Sequence, residues 1–385
     1  MTAEMHKRKK TRPAKAQRPS SLPADTAEAN PALAAARDMA WAGQHAAAIA
    51  HCTKALASAA LGVAQRLALL DQRADSCAAA GRIAEAVADA DAMTELARAH
   101  PQRELQVLAM NRQAMVLNRQ GQFIQALEVA SAAVKLAEAR PVLPLLAASL
   151  LRLGEAQFRG THKEAAVATA KRAAAMFESM GDRSGAGRAY WVLAFAYARQ
   201  SRAKLSRGAA HRAAALARQC GDNAGLGNAL NVLSFTSKDI AERISLTQQA
   251  AHWFERSGQL LGRGLAIGNL SVSFAELGLF RRALRLGHEV LMASRRGGAQ
   301  HNLALQMGGM LHWQIALGEL ESVLAQWPEY EALNVGLDDP GARQLHDLLS
   351  SEIALARGDA AGAAEWLEKV VPLGRQLKSD RKSVV

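Results

Sequence analysis

From Pro31 onward, stretches of about fifteen residues rich in alanine and leucine alternate with short breaks of glycine, proline, aspartate and serine. Each stretch is amphipathic, with apolar residues at the spacing that gathers them on one face of an α-helix. Two kinds of break alternate. The first is a glycine followed five residues later by alanine: Gly43/Ala48, Gly81/Ala86, Gly121/Ala126, Gly160/Ala165, Gly278/Ala283 and Gly358/Ala363. Gly318 falls on the same beat, with Val323 in place of the alanine. The second kind closes a longer unit, at Pro101, Pro141, Gly181-Asp182 and Gly221-Asp222, and less regularly at Gly258, Gly297-Gly298 and Asp339-Pro340. Proline lacks the N–H a helix needs and glycine relaxes to positive φ, so both stop helices. Asp182 and Asp222 stand where they cap the helices that follow. The pattern predicts nine antiparallel helix pairs, beginning near residues 31, 62, 102, 142, 183, 223, 260, 299 and 341. Units at a fixed period contact only their neighbours and bury their apolar faces by stacking. The expected fold is therefore all-α, a right-handed superhelical solenoid with a period near forty residues.

Small residues have a definite task in such a stack. The alanine after each turn lies where the second helix crosses the first, and axes approach to about 8 Å only where side chains are short. Leu193, Leu233 and Leu270 are expected to fill the space between units. Composition agrees with helices: half of the 385 residues are hydrophobic, only 4% are aromatic and ten are proline. Residues 1–30 mix charge, proline and small polar residues without periodicity and are expected to form a disordered basic tail. Residues 31–379 are expected to form the repeat domain. The last six residues, 380–385, break the repeat and match the translation of a common sequencing adapter. They are expected to be non-native and the chain a fragment of a longer reading frame.

A turn glycine with an alanine five residues on, between two antiparallel helices, resembles the tetratricopeptide repeat (TPR) family. The seventh unit matches most fully, with Leu270, Ser271, Phe274, Gly278 and Ala283 at the family's spacing, and the fifth offers Leu193, Ala194 and Tyr197. The resemblance covers about residues 31–375. The chain departs from the family in its longer period, in the missing turn glycine of units five and six, and in alanines replacing large first-helix residues early on. The long period, with "GDRSGAGRAYWVLA" and "GDNAGLGNALNVLS", looks more like the repeats of MalT-type regulators and kinesin light chains. It is also similar to repeat regions attached to bacterial adenylate/guanylate cyclases. The resemblance implies a bacterial scaffold or sensor arm in signal transduction, with first helices lining a concave groove where Asn, Lys and Arg grip a peptide. An alternative is the regulatory region of a truncated cyclase, whose catalytic domain would lie outside this chain.

Charge and reactive residues narrow the picture. Of the net charge of +12, the first twenty residues carry six: seven cations (Lys7, Arg8, Lys9, Lys10, Arg12, Lys15, Arg18) against Glu4. Cys52, Cys77 and Cys220 are too few and too scattered for a disulfide framework or a zinc site, and are expected to be reduced and packed. There is no apolar run long enough for a membrane span and no signal core, so the expected address is cytoplasmic. No catalytic constellation, metal or cofactor is implied. His288-Glu289 begins like a zinc-protease motif, but Met292 stands where the second histidine belongs. The pairs Gly185/Gly187, Gly225/Gly227 and Gly262/Gly264 follow helices and recur at the repeat period, which assigns them to helix packing rather than to a dinucleotide. Asp89 and Asp91 are expected on a solvated surface.

Binding is the function the chain favours, and the expected partner is a protein or peptide. In the fifth first-helix, Arg188, Trp191, Phe195 and Arg199 form one face; in the sixth, Asn228, Asn231, Phe235 and Lys238 form a similar stripe, with Asn269 level with them in the seventh. Arg188, Trp191, Arg199, Asn228, Asn231, Lys238 and Asn269 are the candidate partner-binding residues, with the aromatics alternatively packing between units. Arg183, Arg188, Arg199, Arg202, Lys204, Arg207, Arg212 and Arg218 form a basic stretch without an acid, and a groove with that field favours an acidic peptide. A nucleic-acid module built on this stretch and the tail is a further alternative, less favoured because aromatics are not interleaved with the cations.

Overall fold

The computed structural model describes residues 30–379 except Thr161, Gly298, Ala299, Gly336 and Asp338; of the tail expected over residues 1–30, residues 1–29 lie outside the described residues, as do residues 380–385, whereas Asn30 is buried and caps the first helix by accepting from the Ala32 and Leu33 N–H groups. The described residues form eighteen α-helices and no strand. They pair as α1 (Pro31–Trp41) with α2 (His45–Leu56), α3 (Val63–Ala79) with α4 (Ile83–Ala99), and α5 (Arg103–Gln120) with α6 (Phe123–Glu138). Next come α7 (Leu143–Arg159) with α8 (Lys163–Ser179), α9 (Arg183–Arg199) with α10 (Ala203–Cys220), and α11 (Asn223–Thr236) with α12 (Ile240–Arg256). The last three pairs are α13 (Leu260–Glu276) with α14 (Phe280–Gly297), α15 (Gln300–Ala316) with α16 (Leu320–Asn334), and α17 (Pro340–Ala356) with α18 (Ala360–Ser379). Every unit starts within one residue of the position its break predicts, and in the fifth and sixth units the break residue caps the helix: the Asp182 carboxylate accepts from the Gly185 N–H at 2.8 Å and Asp222 from Gly225 at 2.7 Å.

The turn glycines act through backbone conformation. Gly43, Gly81, Gly121, Gly278, Gly318 and Gly358 all take positive φ, and in the fifth unit Ser201 holds that geometry at φ 57°. The alanines five residues on are fully enclosed at Ala48, Ala86, Ala126 and Ala283, as is Val323 in its unit. Ala363 is buried too, but it differs in what encloses it. Its helix α18 packs on α17, and among the described residues no further unit stacks on that pair. The crossing within the hairpin is therefore enough to bury it, without the second neighbour that the inner units have.

Two expectations fail. In the fourth unit Gly160 sits at φ −74°, and α8 begins three residues after it rather than two. The extra residue moves the register, so Ala166 is buried and Ala165 is exposed. Asp89 is a second correction: it is buried, and Arg73 donates to it through Nε and a terminal nitrogen. Its side chain points to α3 rather than to water because an arginine one helix away satisfies it. The three cysteines are free and buried, and burial pushes the Cys52 thiol up to about 12.

Aromatic wedges explain the glycines at the starts of first helices. A β-carbon on Gly185 would lie 2.3 Å from Phe177 Cδ1, and one on Gly262 would lie 2.6 Å from Phe254 Cδ1. The bare backbone lets a phenylalanine of the preceding second helix lie flat on the next unit, which is a packing role.

Successive first helices pack on one another at every step, whereas among the described residues second helices pack on first helices and not comparably on each other. First helices therefore form the inner, concave layer and second helices the outer one. The curvature is tight enough for the solenoid to meet itself five units later, with α3 against α13 and α5 against α15. Along this seam His45 Nε2 donates to the Ser257 carbonyl at 2.9 Å, and the Phe123 and His301 rings meet edge-on at 5.3 Å. Leu261 enters the cluster formed by Ile49, Ile83, Met115 and Val116. The concave layer thus becomes the wall of a lumen.

The seam makes a prediction. Gly43 and Gly358 share the same left-handed turn at φ 80° and 82°, but only Gly43 faces the seam, where a β-carbon would lie 2.7 Å from the Arg256 carbonyl oxygen. Either Gly→Ala change carries about 1–2 kcal/mol of backbone cost. Gly43→Ala should in addition open the seam and enlarge the radius of gyration in small-angle scattering. Equal radii for the two variants would show that the seam does not hold the curvature.

Candidate binding surface on the inner face

The lumen is lined by side chains that repeat at the period of the chain. On α3 and α5, Arg112 donates to Asp71 at 2.7 Å and to Asp75 at 3.0 Å. Enclosure raises the Asp75 carboxyl, but Arg112, with Arg152 and Arg188 beyond it, more than reverses this and holds it at about 2. Asp75 nonetheless keeps 54% of its side chain exposed. One unit on, Arg152 pairs with Glu155 at 2.7 Å on α7.

An aromatic shelf continues the wall. Phe158 stacks on Phe195 at 5.3 Å and meets Trp191 edge-on at 5.8 Å, and Phe195 leads to Phe235 at 6.0 Å. Arg159 lies over the Phe158 ring at 5.2 Å. Phe235 is 49% exposed, an unusual amount for an aromatic ring in a chain with so few of them. Farther along, Leu265, Val272 and Leu305 line a cleft of about 180 Å³ between α13 and α15, with Asn269 and Gln306 at its edge.

The sequence-predicted residues fall into three groups. Arg188, Trp191 and Arg199 share α9: Arg188 and Trp191 are half-buried, and Arg199 is exposed at the helix end. Asn231 and Asn269 come together across α11 and α13, with Asn269 Nδ2 donating to Asn231 Oδ1 at 2.8 Å, while Asn228 is half-buried a turn earlier. Lys238 is not part of the helical stripe, because α11 ends at Thr236 and places it in the turn to α12. The basic stretch is also divided. Lys204, Arg207, Arg212 and Arg218 lie on α10, in the outer layer, where Arg207 pairs with Glu242 and Arg212 with Glu178. Of that stretch only Arg188 and Arg199 lie within the first helix after its opening residue, so the field in the lumen comes from a different set of arginines.

Sequence reading missed Asn111, Asn118 and Gln157. All three are buried on α5 and α7, and among the described residues neither Asn111 nor Asn118 has a hydrogen-bond partner for either amide atom. The Gln157 carbonyl, Arg188 Nε and Trp191 Nε1 share that condition. Buried polar atoms are nearly always paired, and here the unpaired ones concentrate on three adjacent inner helices. The available signal was the period: Asn111 stands forty residues before neither a cation nor an acid, but eighty before Trp191 and one hundred and twenty before Asn231, on the same inner register.

Among the described residues no group of three histidine, cysteine or acidic side chains is placed to hold a metal ion, and no helix is long and apolar enough to cross a membrane.

No protein-family model matches the chain and no curated protein matches it in sequence. Solved structures do match in fold. A Rap protein complexed with Competence and Sporulation Factor superposes with a TM-score of 0.65 at 13% identity, covering 91% of this chain and 98% of that one. The Rap conjugation gene regulator of plasmid pLS20, in complex with the Phr* peptide, gives 0.55 at 12% identity over 92% and 97%. Cut9, from the APC/C hetero-tetramer Cut9-Hcn1, gives 0.56 at 14% identity over 88% of this chain and 55% of that one. The fold is that of TPR-like helical-repeat proteins.

Proposed function

We propose that this chain is a regulatory peptide-binding scaffold that takes an extended segment of a partner into its lumen. The observation that carries the reading is the set of unpartnered polar atoms on Asn111, Asn118, Gln157, Arg188 and Trp191, brought together on α5, α7 and α9. An extended peptide presents one N–H and one C=O per residue, and side-chain amides satisfy both at once. Adjacent aromatic rings and the cleft at Leu265 and Val272 supply apolar area for its side chains. Two of the superposed structures, the Rap proteins, are themselves complexes with a factor or a peptide, which supports the reading by analogy of fold.

The test is selection from a random peptide library on the intact chain, followed by hydrogen exchange with a selected peptide bound. Exchange should slow in α5, α7, α9 and α11, whose amides back the lumen, and remain unchanged in α6, α8 and α10. Protection confined to the second helices, or failure to select any peptide, would overturn the proposal.

A further inference from the structure

Arg119, Arg159 and Arg199 stand forty residues apart, in the last turns of α5, α7 and α9. We infer that this ladder of three arginines is a carboxylate-recognition site for an acidic peptide, and that Asp339, from the next turn of the solenoid, serves as its built-in competitor. The inference rests on the lumen reading above and names the chemistry of the occupant.

The fold sets the three charges side by side, because α5, α7 and α9 pack on one another in succession and each carries its arginine in its last turn. Arg159 feels the charges of both Arg119 and Arg199, while Glu155 and Asp339 oppose them. Enclosure and that crowding lower its guanidinium to about 10. Among the described residues none of the three lies within ion-pair distance of a carboxylate, although Glu155 is close enough to act on Arg119 and Arg159 and is itself claimed by Arg152. Arg159 is half-buried between Arg119 and Arg199, which are exposed at their helix ends, and like charges so aligned repel less when an anion is interposed. A guanidinium offers parallel donors that match a carboxylate, and Arg159 is oriented for this by its stack on Phe158.

Asp339 is the internal anion. It begins α17, in the ninth unit, and reaches the ladder only because the superhelix closes. His301 Nε2 bonds its carboxylate at 2.7 Å and the Gly341 N–H donates to it at 2.8 Å, so Asp339 is held in place near Arg199. It acts on the arginines from a distance without a direct bond, which leaves their donors for an entering carboxylate. The exposed Phe235 ring, packed on the half-buried Phe195, suits an apolar side chain next to the acid.

The experiment is fluorescence anisotropy with the full chain and fluorescein-labelled hexaglutamate, C-terminally amidated, against labelled hexaglutamine and labelled hexathymidylate. Hexaglutamate should bind and hexaglutamine should not. Arg159→Gln should weaken binding about tenfold, the loss of one charge-assisted contact, and the triple change Arg119→Gln, Arg159→Gln, Arg199→Gln should abolish it. Asp339→Asn keeps a capping side chain and removes the competing charge, so it should tighten binding several-fold, a gain that misfolding does not produce. Changing Lys204, Arg212 and Arg218 on the outer helix to glutamine should leave affinity unaltered. Full binding by the triple variant, loss of binding in the outer-helix variant, or weaker binding by Asp339→Asn would overturn the inference. Hexathymidylate binding more tightly than hexaglutamate, with the same dependence on the ladder, would overturn it in favour of a nucleic-acid site. If hexaglutamate fails while library peptides still protect the first helices, the acid preference alone is wrong; if both fail, so is the lumen reading.

Discussion

Phe254→Ala is expected to cost about 3–5 kcal/mol and to split the unfolding of this chain into two transitions. Phe254 is 2% exposed and belongs to a core that runs from Val107 to Ala266. The next core begins at Leu270, so this ring is the last large side chain before a boundary. It lies between Gly227 on α11 and Gly262 on α13, close enough that a β-carbon on either would sit 3.0 or 2.6 Å from its Cδ1. Both units are shaped around it, and neither can close on alanine without moving a whole helix. In a repeat protein, cooperativity is the sum of interfaces between neighbours, so one weakened interface lets the two sides unfold separately. Urea unfolding followed by circular dichroism is the check. A single transition displaced by less than about 1 kcal/mol would mean that α12 repacks and the wedge is dispensable.

The second large effect is expected at Arg112→Ala, about 3 kcal/mol of destabilisation. Arg112 is 8% exposed and is shared between Asp71 and Asp75, which belong to the preceding first helix. Removing it leaves Asp71, 15% exposed, without its cation in a confined space. Asp75, more than half exposed, adds a smaller share, which keeps the value at the low end of the range for buried pairs. Arg112→Met combined with Asp71→Leu should restore most of the loss, because the penalty is that of an orphaned charge rather than of a missing attraction. The pH dependence follows from Asp75. Its folded pKa of about 2 lies below the ordinary 3.8, so it contributes stability that is complete above about pH 4 and is lost as pH falls through 2. Arg112→Ala should flatten that acid limb. Persistence of the limb in the variant would assign it to other carboxylates.

Much of the architecture is legible in the spacing of a few residues. Asp182 and Asp222 mark helix starts because a carboxylate satisfies free N–H groups whatever surrounds it, and Gly43 or Gly121 marks a turn because positive φ strongly favours glycine. These are local effects, and local effects survive translation from sequence to structure. Ala363 belongs with them, since the crossing inside its own hairpin buries it even in the last pair. Gly160 shows the limit: the letters repeat there, but one extra residue in the turn hands the buried position to Ala166. Asp89 shows another, since nothing in its own neighbourhood along the chain announces Arg73 sixteen residues earlier as its partner.

The candidate site was legible only in part. Trp191, Arg199, Asn231 and Asn269 stand out in the sequence because they lie on first helices. Lys204 and its neighbours were misplaced in the groove because a run of charge in sequence crosses from an inner helix to an outer one. Arg119 and Arg159 carry the repeat period openly, but periodicity alone does not distinguish an arginine facing the lumen from one facing water.

Composition and periodicity by themselves determined that this chain folds into stacked helix pairs, where each begins, and which small residues allow the crossings. Those features depend on contacts within a unit and between neighbours, which a period near forty encodes directly. Only the tertiary structure decided that the stack bends far enough to touch itself, set His301 and Asp339 beside units five positions away, and aligned the three arginines at one end of the inner layer. Curvature is the accumulated sum of small rotations at every interface, and no single residue records a sum.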